Sequence, residues 1–145
     1  MGESDPRLWV PLSEHVAVRP LQFNVTLGQY KHVLRVTKAG MIARHRHSGG
    51  VHGLVFKGRW HYLEHDWVAE EGSYIWEPPG ETHTLVVPEG CNEMVTLFQV
   101  NGSLTYVDAH GTVTGYDDVF TRLDKARAHY ASSGLGEDYV EQFIR

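Results

Sequence analysis

Two stretches of the chain decide its fold: residues 40–58 read GMIARHRHSGGVHGLVFKG, and residues 72–83 read GSYIWEPPGETH. His45 and His47 lie two residues apart at the end of an apolar run. Residues i and i+2 of a β-strand point to the same face, so both imidazoles project together. A third imidazole, from His83, would complete one side of a metal coordination sphere. Neutral imidazoles suit Fe, Zn, Cu or Ni, and three of them leave positions open for catalysis.

Glycines and a proline frame the histidines at fixed intervals. Gly72, Pro78, Gly80 and His83 follow one another at the spacing of the second signature segment of the cupin superfamily. On this segment and the histidine pair, the chain resembles the RmlC-like cupins over about residues 8–115. The resemblance implies an all-β fold, the cupin double-stranded β-helix or jelly-roll barrel. Many short strands separated by turn residues agree with that class.

The first signature segment departs from the cupin pattern in three ways. Its leading and closing glycines, Gly40 and Gly58, are each one residue closer than usual, and His52 stands where most cupins have Glu. Among cupins, the chain most resembles the small dioxygenases that cleave 2,4'-dihydroxyacetophenone or acetylacetone. In those enzymes three histidines bind ferrous iron and the Glu is not an essential ligand. The resemblance therefore implies Fe(II) on the three histidines, with Zn(II), Ni(II) or Mn(II) as alternative occupants.

Two further residues are candidates beside the three histidines. His52 is either a fourth ligand at the usual Glu position or a residue outside the ligand sphere that orients a water or substrate oxygen. Glu77, at the end of a strand, would act as a base, hydrogen-bond a ligating imidazole or ligate directly. Without a carboxylate ligand the metal keeps its full dication charge. That charge favours anionic chelators such as enolates and hydroxyketones.

The function predicted from these features is a non-haem Fe(II)-dependent dioxygenase. Its partners would be O2 and a small chelating ketone, of the β-diketone or hydroxyacetophenone type, whose C–C bond is cleaved. Two other functions stay open. One is a metal-binding regulatory or sensor cupin, like the zinc cupin domain of anti-sigma factors. The other is a non-oxidative metal-dependent cupin enzyme.

Length, charge and composition limit the number of domains, the partners and the location of the protein. The 145 residues fit a single domain, with a barrel core at about 16–115 and a C-terminal helix at about 118–133. A net charge of −5 argues against nucleic acid as a partner. No 18-residue apolar run or signal peptide is evident and only one cysteine is present, so we expect a cytoplasmic protein that does not span a membrane. We also expect a homodimer or homotetramer.

The C-terminal helix is predicted from periodicity. One helical stripe is formed by the residues at i, i+3, i+7 and i+10: Phe120, Leu123, Arg127 and Tyr130. Asp117 or Asp118 would cap the start of the helix, and Gly134 is placed to end it. We expect the stripe to pack on the barrel or on a second subunit.

The other notable side chains are assigned to the core or the surface from their residue type and neighbours alone. His32 and several scattered histidines are expected at the surface. The aromatic residues Phe56 and Trp76 are expected in the core, together with Trp60 and Phe98. Arg46 alternates with the two histidines of its strand, so it should face away from them into solvent.

Overall fold

A computed structural model of the protein describes residues 4–145. Twelve strands are followed by one long helix, and short 3₁₀ helices lie at Pro6–Leu8 and Glu137–Phe143. The elements are β1 (Val10–Ser13), β2 (Val16–Asn24), β3 (Gln29–Val36), β4 (Gly40–His47), β5 (Val51–Lys57), β6 (Arg59–Tyr62), β7 (Ala69–Glu70), β8 (Tyr74–Glu77), β9 (Thr82–Val87), β10 (Met94–Asn101), β11 (Leu104–Val107), β12 (Val113–Asp117) and α1 (Val119–Ser132).

The strands form two six-stranded antiparallel sheets. The first has the order β1-β2-β3-β10-β5-β8, and the second has the order β12-β11-β4-β9-β6-β7. Alternate side chains of these strands build one large apolar core. Trp60 is fully buried there, and its indole Nε1 donates to Thr96 Oγ1 at 3.1 Å. This arrangement is a jelly-roll barrel, so the predicted all-β jelly-roll class is confirmed.

The barrel extends beyond the limits predicted from sequence. It begins at Val10 rather than near residue 16, and β12 continues it to Asp117. Strand β1 contains Pro11 and lies at the sheet edge, where a residue without an N–H is tolerated. Its short, proline-containing sequence gives little strand signal, which is why it was missed.

Helix α1 begins where the sequence predicts. Asp118 is the N-cap: its Oδ1 accepts from the backbone N–H groups of Phe120 and Thr121, and Thr121 Oγ1 accepts from the Asp118 N–H. Gly134 follows the end of the helix with φ at 89°. The helix packs against the barrel through a face that differs from the predicted stripe.

The buried face of α1 contains an arginine. Leu123 and Tyr130 are buried as expected, but Phe120 is 54% exposed and Arg127 pairs with Glu141 at 2.9 Å. Arg122 is buried instead, at 7% exposure. The buried face is therefore rotated from the predicted stripe, because Tyr106 and Asp117 hold Arg122 inside whereas Arg127 pairs with Glu141.

Two aromatic residues expected in the core lie outside it. Phe56 and Trp76 are 39% and 58% exposed, because they occupy outward positions of β5 and β8. Trp60 and Phe98 are buried as predicted. Among residues 4–145, no helix has the length and apolar character needed to cross a membrane.

Two signature glycines adopt a backbone conformation that other residues avoid. Gly58 and Gly72 have φ values of 74° and 85°. A Cβ on Gly58 would lie 2.3 Å from the backbone oxygen of Glu93, whereas a Cβ on Gly72 would meet nothing within 4 Å. Gly58 is thus required for both conformation and space, and Gly72 for conformation alone.

We predict that Gly58→Ala destabilises the protein more than Gly72→Ala does. Each substitution places a side chain in the left-handed region, at a cost of about 1–2 kcal/mol. Only Gly58→Ala adds a steric clash with backbone, worth a further ~1–3 kcal/mol. Urea unfolding of both variants measures the difference. Equal losses of unfolding free energy would contradict the close approach at Gly58.

Candidate metal centre

Strands β4 and β9 bring three histidines together. The last residues of β4 alternate in burial: His45 and His47 are inside, while Arg46 is exposed as predicted. Strand β9 pairs with β4 so that His83 lies directly opposite His45. The i, i+2 spacing and this register place all three imidazoles on the inner face of one sheet.

The three imidazoles form a compact donor set. One ring nitrogen from each of His45, His47 and His83 lies within 4.8 Å of the others, and all three residues are buried. The Nδ1 of His45 is 2.8 Å from the backbone oxygen of Ala43. Because a carbonyl oxygen only accepts hydrogen bonds, Nδ1 carries the proton. The unprotonated Nε2 then has a lone pair that can bind a metal.

Burial keeps the donor set neutral. Desolvation lowers the pKa of His47 to about 3, and its histidine neighbours act in the same direction. Desolvation likewise lowers the pKa of His83 to about 3 and lowers that of His45. An imidazole must be neutral to bind a metal, so no proton has to be displaced near pH 7.

Unpaired atoms in the cluster fit a metal ion. Neither ring nitrogen of His83 has a hydrogen-bond partner within residues 4–145, and His47 Nδ1 has none either. Buried polar atoms without partners are rare in native proteins. A set of three neutral imidazoles suits Fe, Zn, Cu or Ni. These three residues could therefore hold one transition-metal ion.

Glu77 lies at the edge of the histidine cluster. It is the last residue of β8 and is buried, because Pro78 keeps it extended and the alternation of the strand turns it inward. Its Oε2 is 3.7 Å from His83 Nε2 and 4.0 Å from His47 Nε2, and has no hydrogen-bond partner among the described residues. Burial raises the pKa of the Glu77 carboxyl to about 8.

Tyr62 fixes both Glu77 and His83. Its hydroxyl donates to Glu77 Oε1. Its ring stacks on His83, with centroids 3.8 Å apart and planes inclined by 11°. One aromatic side chain therefore holds an imidazole and a carboxyl group in place beside each other.

The structure does not bring His52 to the cluster. Val51 and Gly53 take the inward positions of β5, so His52 points outward, and its Nδ1 hydrogen-bonds the hydroxyl of Tyr74. Val51 pairs with Glu77 across the sheet, on the inner side. The expectation that His52 ligates the metal or acts on substrate is corrected by this placement, because a shift of one residue along a strand reverses its face.

The cavity beside the histidines contains polar residues that sequence reasoning missed. Its volume is about 100 Å³, and its wall includes His45, Tyr106, His32 and Arg122. His32 was expected at the surface, yet it is buried, and desolvation lowers its pKa to about 3. A signal was present: His32 lies in the apolar strand Tyr30 to Val36, where inward positions are occupied by core residues.

Comparisons with known proteins confirm the predicted cupin fold. A family model described as a ChrR cupin-like domain matches residues 1–105. The structure is similar to that of an RmlC-like cupin from Ralstonia eutropha JMP134, with 26% identity and a TM-score of 0.79. That alignment covers 92% of this chain and 88% of the other. No curated protein matches the chain by sequence.

Two other solved structures share the fold at lower identity. An acetylacetone dioxygenase from Acinetobacter johnsonii has 16% identity and a TM-score of 0.76, covering 89% of this chain and 91% of that chain. The anti-sigma factor ChrR, solved in complex with SigE from Rhodobacter sphaeroides, has 18% identity and a TM-score of 0.55. The latter match covers 67% of this chain and 58% of the other.

We predict that His45→Ala and His83→Ala lose most of the bound metal. Loss of a ligand should lower affinity at least as much as loss of a residue that orients one, which costs about 10- to 100-fold. Metal content is measured by elemental analysis after purification without added metal, and circular dichroism checks that the β fold remains.

His52→Ala is the matched control for metal binding, because His52 lies in the first signature segment but outside the cluster. It should keep the metal content of the wild type. A loss of metal in His52→Ala equal to that in His45→Ala would contradict the placement of His52.

We predict that Glu77→Gln stabilises the metal-free protein at the upper end of the pH range. The pKa of the Glu77 carboxyl is about 8 in the folded protein, whereas its usual value is 4.5. The bound proton therefore stabilises the fold, and this contribution is complete below about pH 4.5. This contribution is lost as the pH rises towards 8. From about pH 5 to about pH 8, the variant should gain more than about 1 kcal/mol over wild type in urea unfolding.

Glu71→Gln provides the control for this measurement, because Glu71 is exposed in the turn before β8. A difference from wild type that changes with pH no more for Glu77→Gln than for Glu71→Gln would show that Glu77 is not held protonated.

Proposed function

The chain belongs to the ChrR cupin-like family, and from that premise we propose that it is a non-haem Fe(II)-dependent dioxygenase that cleaves a C–C bond of a small chelating ketone. The observation that carries the proposal is the set of three neutral, buried imidazoles, two of which, His45 and His47, lie on the wall of a cavity. A structural metal site is closed by protein ligands, whereas a catalytic one keeps positions open. Among residues 4–145, the donor group contains three residues and no fourth.

Iron is the metal we assign to His45, His47 and His83. When bound, it would supply the redox chemistry with O2 and an electrophilic centre for the ketone oxygens. The similarity of fold to an acetylacetone dioxygenase supports this choice. The protein would contribute orientation and the exclusion of water.

The apolar wall of the cavity suits a small, flat ketone. Phe98 and Leu85 are buried on that wall, and Tyr62 closes it beside His83. Pockets that bind small molecules combine such apolar walls with a few placed polar groups. A β-diketone or hydroxyketone presents two oxygens on one edge and carbon elsewhere, which matches this distribution.

Glu77 is the residue we assign to proton transfer. Its Oε2 faces the Nε2 atoms of His47 and His83, and its other oxygen is held by the Tyr62 hydroxyl. In this proposal Oε2 of the ionised carboxylate takes the proton from the carbon between the two carbonyl groups of a β-diketone, which leaves an enolate. A base whose pKa lies near the working pH is effective in such a step. O2 then provides the atoms that complete the two carbonyl or carboxyl products.

A regulatory metal-binding role is the second candidate. The description of the family and the fold shared with the anti-sigma factor ChrR favour it. The same three histidines would hold zinc, and no substrate would be consumed. A test of catalysis therefore separates the two candidates.

We predict oxygen consumption by anaerobically iron-loaded protein with pentane-2,4-dione or a hydroxyacetophenone. One O2 should disappear for each ketone cleaved, as measured with an oxygen electrode and by product analysis. Zinc-loaded protein and iron-treated His45→Ala protein are the controls and should consume no oxygen. Iron-loaded protein that binds such ketones but consumes no oxygen with any of them would exclude the dioxygenase and favour the regulatory role.

A further inference from the structure

Arg122 is a buried cation with unused hydrogen-bond donors. It projects from α1 towards the barrel, and its side chain is 7% exposed. Its Nη2 donates to the Tyr106 hydroxyl at 3.1 Å and lies 3.3 Å from Asp117 Oδ2. Its Nε and Nη1 have no partner among residues 4–145. Leaving donors of a charged group buried and unpaired is costly, so a missing acceptor is implied.

The charges around Arg122 do not balance. Asp117 is the carboxylate that faces it, but Lys125 also binds both Asp117 oxygens, at 2.8 and 3.0 Å. Burial acts to raise the pKa of Asp117, yet Arg122 and Lys125 outweigh it and keep the pKa below its usual value. One ionised carboxylate is thus shared by the buried Arg122 and by Lys125, whose side chain is 49% exposed. Asp117 therefore neutralises Arg122 only in part, and the guanidinium can still attract an anion.

Arg122 shares a cavity with two of the three histidines of the cluster. Both His45 and Arg122 are on its wall, and Tyr106 lies between them: its ring is 6.4 Å from the His45 ring, and its hydroxyl contacts Arg122. Tyr30 is on the same wall, and its buried hydroxyl has no hydrogen-bond partner within residues 4–145. Its ring centroid is 5.9 Å from Arg122 Cζ.

We propose that Arg122 and Tyr30 bind a carboxylate on the substrate, so that the ligand of this cavity is a small keto acid. The inference that this ligand chelates the metal rests on the proposed function, whereas the inference that it carries a carboxylate rests on Arg122 and Tyr30 alone. A carboxylate only accepts hydrogen bonds, and it forms short, strong ones with a guanidinium. It would satisfy the free N–H groups of Arg122 and the Tyr30 hydroxyl together.

The size of the cavity selects among anions. Its volume of about 100 Å³ is well below the range of about 300–1,000 Å³ that is typical of pockets for drug-sized ligands. That room fits a short carboxylic acid and excludes nucleotides and sugar phosphates. Water could occupy the same space, but it would form weaker hydrogen bonds with the guanidinium than a carboxylate does. The substrate class is therefore a short-chain β-diketone or hydroxyketone that ends in a carboxylate.

The carboxylate site can be tested without iron. Propionate is titrated into the full chain after metal removal, and the side-chain Nε–H signal of Arg122 is followed by NMR. We expect a saturable shift of this signal with propionate and none with the neutral propionamide. Absence of a saturable shift, or an equal response to propionamide, would overturn the proposal.

Three variants sharpen the titration. Arg122→Met should raise the propionate dissociation constant more than about 10-fold, because hydrogen bonds to a charged group are lost. Tyr30→Phe should raise it by about 3- to 10-fold. This variant removes only a hydroxyl that has no hydrogen-bond partner among residues 4–145, so the fold is kept even if Arg122→Met does not fold. Arg46→Met, on the outer face of β4, is the matched control and should bind as wild type does. Unchanged affinity in Tyr30→Phe would contradict the site.

A second measurement connects the carboxylate to the reaction. With iron-loaded protein, Arg122→Met should raise KM for 4,6-dioxoheptanoate at least 10-fold but leave KM for heptane-2,4-dione unchanged, because the latter carries a methyl group in place of the carboxylate. An equal effect on both would contradict the proposal. If wild type consumes no oxygen with either compound, the proposed function fails, and the propionate titration alone decides the carboxylate site.

Discussion

Loss of hydration inside the barrel is the constraint on which the candidate site depends. Three imidazoles point into an apolar core that offers few protein partners, so each is held in its neutral form. The same loss of water has the opposite effect on the charge of a nearby carboxyl group, because it raises the pKa of Glu77. An empty cluster of this kind is costly to the fold. A bound cation would relieve that cost, so stability of the fold and occupancy of the site are coupled.

The parts of this arrangement that follow from local rules could be predicted from the sequence. The i, i+2 spacing places His45 and His47 on one face, and the N-cap of α1 follows from the chemistry of Asp118. His52 could not be placed by spacing alone. The turn between β4 and β5 decides whether residue 51 or residue 52 faces inward, and the structure selects Val51.

The burial of Arg122 and His32 depends on long-range contacts, so the sequence did not reveal it. Arg122 lies on the buried face of α1 because Asp117 and Tyr106, from two neighbouring strands, provide partners for a charge that would otherwise require water. Patterns that sort residues into apolar and polar classes assign such an arginine to the surface. The nearest signal in the sequence was the acidic residue five positions before it, which is too common to be decisive. His32 was misplaced for the same reason.

The histidine cluster and Arg122 with its partner Tyr106 come from different parts of the chain. All three histidines, Glu77 and Tyr30 lie within residues 1–105, which the family model matches, whereas Tyr106 and Arg122 follow that segment. Changes in the last third of the chain can thus alter what the cavity accepts while the histidines stay as they are. In evolutionary terms, one inherited metal-binding barrel can acquire new ligands by exchanging the helix that closes it, and relatives with the same histidines need not share a substrate.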